Sequence, residues 1–214
     1  MTNYEKVVEF HKLFSALINT SYTIPDKMVC NLRYNLIKEE SGELLNAVID
    51  KNIDKIADGI SDTLYVVYGT GASFGISLNS SPVIGNSPID VYNELEKLTV
   101  FLEGFKDSIV DSDFTMIRNF LRGIIRICYT IGKAYSIDVD KAFDIVHESN
   151  MSKAHNTEEE ARATQNFHLN DGVTSNIRRS NDKFVVYRNS DDKVLKSIYY
   201  TPADFTIMNL TPIS

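Results

Sequence analysis

The 214-residue sequence predicts an all-α fold, a helical bundle followed by a small C-terminal β-hairpin. Three observations carry that expectation. Apolar residues recur every three or four positions through most of the first two-thirds of the chain, the spacing of helices that bury one face. The clearest punctuation, NSSPVIGNSP at residues 79–88, separates two such helical blocks. Alternation with a period of two appears only near the end, in KFVVYRN and KVLKSIYY.

A first helix is expected over residues 3–19, with Val7, Phe10, Leu13, Phe14, Leu17 and Ile18 on one broad apolar face. His11 borders that face; packing at the core edge is its first reading and contact with a substrate its second. A loop holding Pro25-Asp26 follows, and Asp26 is placed to cap a helix over 27–49. After a short break comes a helix over 54–75. Its LYVVY run, taken alone, suits a strand, but the apolar, small and carboxylate positions keep helical spacing through Gly69 and Gly71. Those glycines suit points where another helix comes close.

Further helices are expected at 89–107, 115–136 and 138–151, the last capped by Asp138 or Asp140 with Ala142, Phe143 and Val146 inside. Residues 154–180 read as a long polar loop, partly helical at 158–163. The hairpin is expected to pair KFVVYRN with KVLKSIYY across Asn189-Ser190-Asp191-Asp192, and the last ten residues to dock as a tail. A faint internal pattern at an offset of 61 aligns Tyr68, Gly71, Phe74 and Ile76 with Tyr129, Gly132, Tyr135 and Ile137. A degenerate repeat and a chance likeness between two core helices both fit it.

The chemistry concentrates in residues 33–62. Glu39, Glu40 and Glu43 fall within about 100° of arc beside the stripe of Ile37, Leu44 and Val48. On the next helix Asp58 and Asp62 are four apart and share a face. Five carboxylates thus aim at one partly dry groove, where unpaired like charges raise each other's pKa. A hard divalent ion such as Mg²⁺, or Mn²⁺, resolves that conflict. The plainer reading is a solvated acidic face; the second acidic helix at a hairpin's distance favours the metal.

Composition narrows the function. A net charge of −7 and a pI near 5.1 argue against coating nucleic acid. Cys30 and Cys128 lie in apolar helical patterns and read as buried free thiols in a reducing compartment. The amphipathic, acid-bearing N-terminus is no targeting peptide, and no run is long and apolar enough to span a membrane. A cytoplasmic protein is expected.

Three motifs in order resemble the all-α nucleoside triphosphate pyrophosphatases, the MazG-like and phosphoribosyl-ATP pyrophosphohydrolase-like superfamily. They are EExxE at Glu39, Glu40 and Glu43 after Arg33, Leu36 and Ile37; DGISDTLYVVYGTGASFGI over 58–76; and AFDIVHESNMSK over 142–153. The tail KVLKSIYYTPADF is similar to an extension found in one subgroup. The likeness covers residues 1–78 and 137–205. It implies a MazG-like four-helix core in a domain over 1–153, with 79–136 a helical insertion or degenerate repeat and 154–214 an extension.

The resemblance implies Mg²⁺-dependent hydrolysis of a nucleoside triphosphate to monophosphate and pyrophosphate, in a homo-oligomer such as a dimer or tetramer. Glu40, Glu43, Asp58 and Asp62 would hold the metal, and Glu39 would bind a second ion or act as base. Asn150 and Lys153 would bind phosphate. Arg33 would pair with Glu40 or contact phosphate. One departure stands out: Gly59 occupies the place of the family's ExxD glutamate, with Asp58 just before it. Tyr65, Tyr68, His11 and Phe14 could stack on a base, and Arg178, Arg179 and Lys183 could approach phosphates from the tail. A non-catalytic acidic module and a metal-dependent phosphatase are the competing functions.

Overall fold

The structure, a computed structural model, describes residues 1–213. Among the described residues, seven helices precede one two-stranded antiparallel sheet, an all-α architecture with a small β extension. Helix α1 (Asn3–Leu13) opens with a capping box between Thr2 and Glu5. It is shorter than its apolar pattern suggests. Ser15 takes a left-handed conformation (φ 54°) and turns the chain, so Leu17 leaves the expected apolar face and is 39% exposed. The loop then runs along the end of the third helix, where the Asn19 and Thr23 amides donate to the Ala72 and Phe74 carbonyls.

Helices α2 (Lys27–Ile49) and α3 (Ile53–Phe74) form an antiparallel hairpin. Asp26 caps α2 by accepting from the Val29 amide, and Asn52 caps α3 in the same way from Lys55. LYVVY is helical. Because α1, α2, α5 and α6 all pack on α3, that segment is apolar on nearly every side without being a strand. Gly75 (φ 69°) ends α3, and a side chain there would collide with the Ser21 backbone.

Helices α4 (Val91–Val110) and α5 (Phe114–Ala134) make a second hairpin, and α6 (Val139–Met151), capped by Asp138, returns across α3. One core joins these helices through Ile37, Leu44, Ile60, Phe74, Phe105 and Phe143. The two inter-helix turns match at the offset of 61. Lys51 (φ 51°) and Ser112 (φ 55°) each take the left-handed position, and Asn52 and Asp113 each cap the next helix. The helix ends match as well. Ile76 and Ile137 donate to the carbonyls of Gly71 and Gly132, both at 2.8 Å.

The C-terminal third differs from its sequence-based expectation. Residues 154–180 are not mainly loop: helix α7 (Glu158–Asn170) runs well past 163, followed by strand β1 (Ser175–Ser180). β1 pairs with β2 (Lys183–Arg188) across Asn181-Asp182, with Ser180 opposite Lys183. The hairpin therefore lies on the other side of KFVVYRN. KVLKSIYY contributes only an isolated bridge between Val194 and Tyr187. Val185 and Tyr187 pack on Leu13 and Phe14, and a 3-10 turn (Phe205–Met208) docks Phe205 into the main core. No helix among the described residues is long and apolar enough to cross a membrane.

Candidate active site, a carboxylate-lined cavity

A cavity of about 560 Å³ opens between α1, α2, α3, α6 and residues 196–203. α2 and α3 run antiparallel, so Glu40 on one faces Asp58 and Asp62 on the other across the groove. Lys153, just past the end of α6, completes this end. Of the residues singled out from the sequence, Arg33, Glu40, Asp58, Asp62, Asn150 and Lys153 all line the one cavity. Glu39 and Glu43 are exposed at its mouth and do not line it.

The acidic side chains are electrostatically unsettled. Glu39, Glu40, Glu43, Asp58 and Asp62 have no hydrogen bond or ion pair among the described residues. Burial, then the charges of Glu43, Glu39 and Asp58, pushes Glu40 up to about 7. Burial, then Asp58 and Glu40, pushes Asp62 up to about 8. Asp58 is raised too, by burial and then Glu43. Lys153 is lowered by burial, partly opposed by Asp62 and Glu40. The donor set is all oxygen, of the kind that suits a hard divalent ion. As it stands, no three of the described His, Cys, Asp or Glu groups converge closely enough to hold one.

The missing ExxD glutamate has a steric reason. A Cβ at Gly59 would lie 2.9 Å from the Leu44 Cα, so position 59 faces the backbone of α2 and not the groove. Asp58, one place earlier, is the residue that lines the cavity.

At the C-terminal end of α6, Lys153 Nζ donates to Asn150 Oδ1 at 2.5 Å. The far wall comes from the tail. Ser149 Oγ donates to the Tyr200 hydroxyl (2.9 Å), and the Thr201 amide donates to Ser152 Oγ (2.9 Å). Lys196, 4.5 Å from the centre of the Tyr200 ring, brings a second cation to this end. Sequence reasoning looked instead to Arg178, Arg179 and Lys183, none of which lines the cavity. Arg178 pairs with Asp192, Arg179 lies over Phe184 and Lys183 donates to Asn156. Lys196 sits in a run that alternates like a strand, which hid it.

The opposite end is aromatic. Phe10, Tyr65, His11 and Arg33 line it, while Phe14 and Tyr68 pack in hydrophobic clusters instead. Arg33 makes no salt bridge to Glu40, and its Nε has no partner although the residue is only 9% exposed.

The model of the phosphoribosyl-ATP pyrophosphohydrolase family matches residues 7–81, from α1 through α3. An uncharacterized protein of Acanthamoeba polyphaga mimivirus is 31% identical over an alignment spanning 96% of this chain and 94% of the relative. The chain belongs to the all-α nucleoside triphosphate pyrophosphatase superfamily. No solved structure matches it. The matched segment of this pyrophosphatase-like chain contains every carboxylate of the groove, while α6 and the tail supply Lys153, Lys196 and Tyr200. Pyrophosphohydrolase chemistry on nucleotides is the activity associated with the family.

Proposed function

We propose that this protein is a Mg²⁺-dependent nucleoside triphosphate pyrophosphohydrolase that converts a (d)NTP and water to (d)NMP and pyrophosphate, with Mn²⁺ as an alternative ion. The observation that carries this reading is the set of partnerless carboxylates facing Lys153 and Lys196 across one cavity. Glu40, Glu43, Asp58 and Asp62 are the residues to hold the metal; Glu43 and Asp58 extend the site toward the mouth. A bound ion supplies neutralisation of phosphate oxygens and a more acidic water. Glu39, exposed beside this set, is the base that accepts the proton from the attacking water. Lys153 and Lys196 bind phosphate oxygens as point charges, and Asn150 orients Lys153 through its side-chain oxygen. The C-terminal end of a helix dipole repels anions, so these two cations must outweigh it.

Residues 79–136 are read as a degenerate repeat of the α2–α3 hairpin within a domain over 1–153, followed by an extension over 154–214. None of the cavity lining comes from 79–136; the extension contributes Lys196, Tyr200, Pro202 and Ala203 to it. Self-association into a dimer or tetramer is read by elution mass.

The function is tested by incubating canonical and modified (d)NTPs with Mg²⁺ or Mn²⁺ and resolving the products by chromatography. Strictly metal-dependent release of pyrophosphate is expected. Release of orthophosphate would point to a phosphatase, and no turnover of any nucleotide would leave an acidic binding module.

A further inference from the structure

The aromatic end of the cavity holds a charged group with nothing to bind. Arg33 projects from α2 seven residues before Glu40, hence roughly 10 Å along the helix from the carboxylates. Burial lowers it only to about 10, so it stays a cation at neutral pH. An uncompensated buried cation is costly to keep unless something else satisfies it. Neither Glu40 nor any other described carboxylate pairs with it. Lys153 and Lys196 stand at the carboxylate end, which leaves Arg33 to serve the other end of the cavity.

His11 shares this end, and its protonation follows from geometry. Nδ1 lies 2.9 Å from the Leu17 carbonyl, which can only accept, so Nδ1 carries the hydrogen and Nε2 presents a lone pair. Burial, then the charge of Arg33, lowers His11 to about 4 and keeps the ring neutral. The two heads lie side by side over Gly69. A Cβ there would sit 2.8 Å from His11 Nε2 and 3.1 Å from Arg33 Nη1. The helix thus gives up a side chain at the point where a donor fork and an acceptor meet. Phe10 and Tyr65, edge to face at 5.4 Å, wall the same end with apolar ring surface.

We infer that Arg33 and His11 read the edge of the nucleobase and select bases with a lactam edge, a carbonyl beside a ring N–H, as in uracil, thymine and guanine. This rests on the nucleotide reading of the cavity. The guanidinium fork donates to the carbonyl oxygen, whose two lone pairs accept more than one N–H, and His11 Nε2 accepts from the neighbouring ring N–H. Adenine satisfies His11 through its amino N–H, but its ring nitrogen offers the fork a single lone pair. Cytosine gives the fork either a ring nitrogen with one lone pair beside its amino group, or a carbonyl whose neighbouring unprotonated ring nitrogen faces the His11 lone pair. A site built to hydrogen-bond one edge rejects the mismatched one because its own polar groups are then left unpaired.

The test is calorimetric binding of the non-hydrolysable α,β-methylene analogues of dUTP, dGTP, dCTP and dATP to the full chain in Mg²⁺. The lactam pair is expected to bind about tenfold or more tightly than the amino pair. Arg33→Met and His11→Phe should shrink that preference to about threefold or less, and His11→Gln, which restores an acceptor, should keep most of it. If Arg33→Met does not fold, as judged by circular dichroism, the two His11 variants carry the test. Equal binding of all four analogues, a preference for the amino pair, or an equal loss for all four in Arg33→Met would overturn the inference. Pyrophosphate release measured alongside separates the two readings: release from every dNTP without selectivity removes base reading alone. Selective binding without release removes the hydrolase alone, and binding of none removes both.

Discussion

The two helical hairpins of this molecule match in their turns and helix ends and differ in the side chains between. At the offset of 61, Glu40 corresponds to Phe101, Glu43 to Gly104, Gly59 to Phe120 and Asp62 to Gly123. In α2–α3 two of those positions, Glu40 and Asp62, line an open acidic groove. In α4–α5 the same ground is filled by two rings, 5.8 Å apart and edge to face. Each ring rests where a glycine makes room: a Cβ at Gly123 would lie 2.0 Å from the Phe101 ring, and one at Gly104 would lie 2.4 Å from Phe120. The turn with its left-handed residue, the N-cap and the glycine near each helix end are common to both. A scaffold of this kind tolerates either an acidic groove, which costs stability, or a packed aromatic pair, which adds to it. Only the first retains polar atoms for a ligand.

Substitutions at matching positions should separate an acidic, ligand-binding groove from a packed one. Glu40→Gln should lower pyrophosphate release by on the order of a hundredfold or more with helix content unchanged, since it removes a charge from the ion's side chains. Its counterpart, Phe101→Glu, should leave turnover within about twofold. Glu43→Gln, at the mouth, tests whether the exposed members count as ligands; full activity would exclude Glu43 from the site.

The first hairpin carries carboxylates that folding shifts upward, so its stability should respond to acidity. Glu40 and Asp62 are raised by folding to about 7 and about 8, so the folded state holds protons that the unfolded state releases at lower pH. Their contribution is complete below about pH 4 and is lost as pH rises toward 8. In a chelator, the melting temperature should therefore fall by roughly several degrees between pH 5 and pH 9, and added Mg²⁺ should reverse the fall. A Glu40→Gln/Asp62→Asn variant should show a flatter profile.

Phe101→Ala should cost about 2 kcal/mol in denaturant titration, less than for a fully buried ring because Phe101 is partly exposed. Lys153→Met should raise the KM for the nucleotide about tenfold with a smaller change in kcat. The smallest effects belong to the shared turn. Asn52→Ala and Asp113→Ala should each cost about 1 kcal/mol, and unequal costs would mean that the two turns are not equivalent.

Much of this was legible in the residues. Helix α2 begins at Lys27 and ends at Ile49 as its periodicity and Asp26 predict, because cap and apolar stripe agree there. The groove residues Arg33, Glu40, Asp58 and Asp62 were legible because helical spacing alone fixes which side chains share a face. What misled was local pattern overridden by a single backbone choice or by tertiary packing. Leu17 continues the α1 stripe in sequence, yet the left-handed Ser15 turns the chain before reaching it. β1 is SNIRRS, with no apolar alternation, and its pairing depends on the Asn181-Asp182 turn, where Asn181 takes φ 55°. Asn ahead of a polar residue was a signal that could have been weighed. Lys196 and Tyr200 lie in the tail KVLKSIYYTPADF, whose likeness to a subgroup's extension does not say where it packs. Their place at the cavity depends on Ser149 and Ser152 holding a segment about fifty residues further along the chain.

That last arrangement has a consequence for how the protein is made. Every carboxylate of the groove has been translated by Asp62, and α6 is complete at Met151, but the Lys196–Tyr200 wall leaves the ribosome only after α7 and both strands. During synthesis the acidic residues therefore exist for a time without the covering segment that brings the second lysine. A nascent chain stalled near residue 180 would present an open, negatively charged cleft to the surrounding ions, and only the finished chain could shut it.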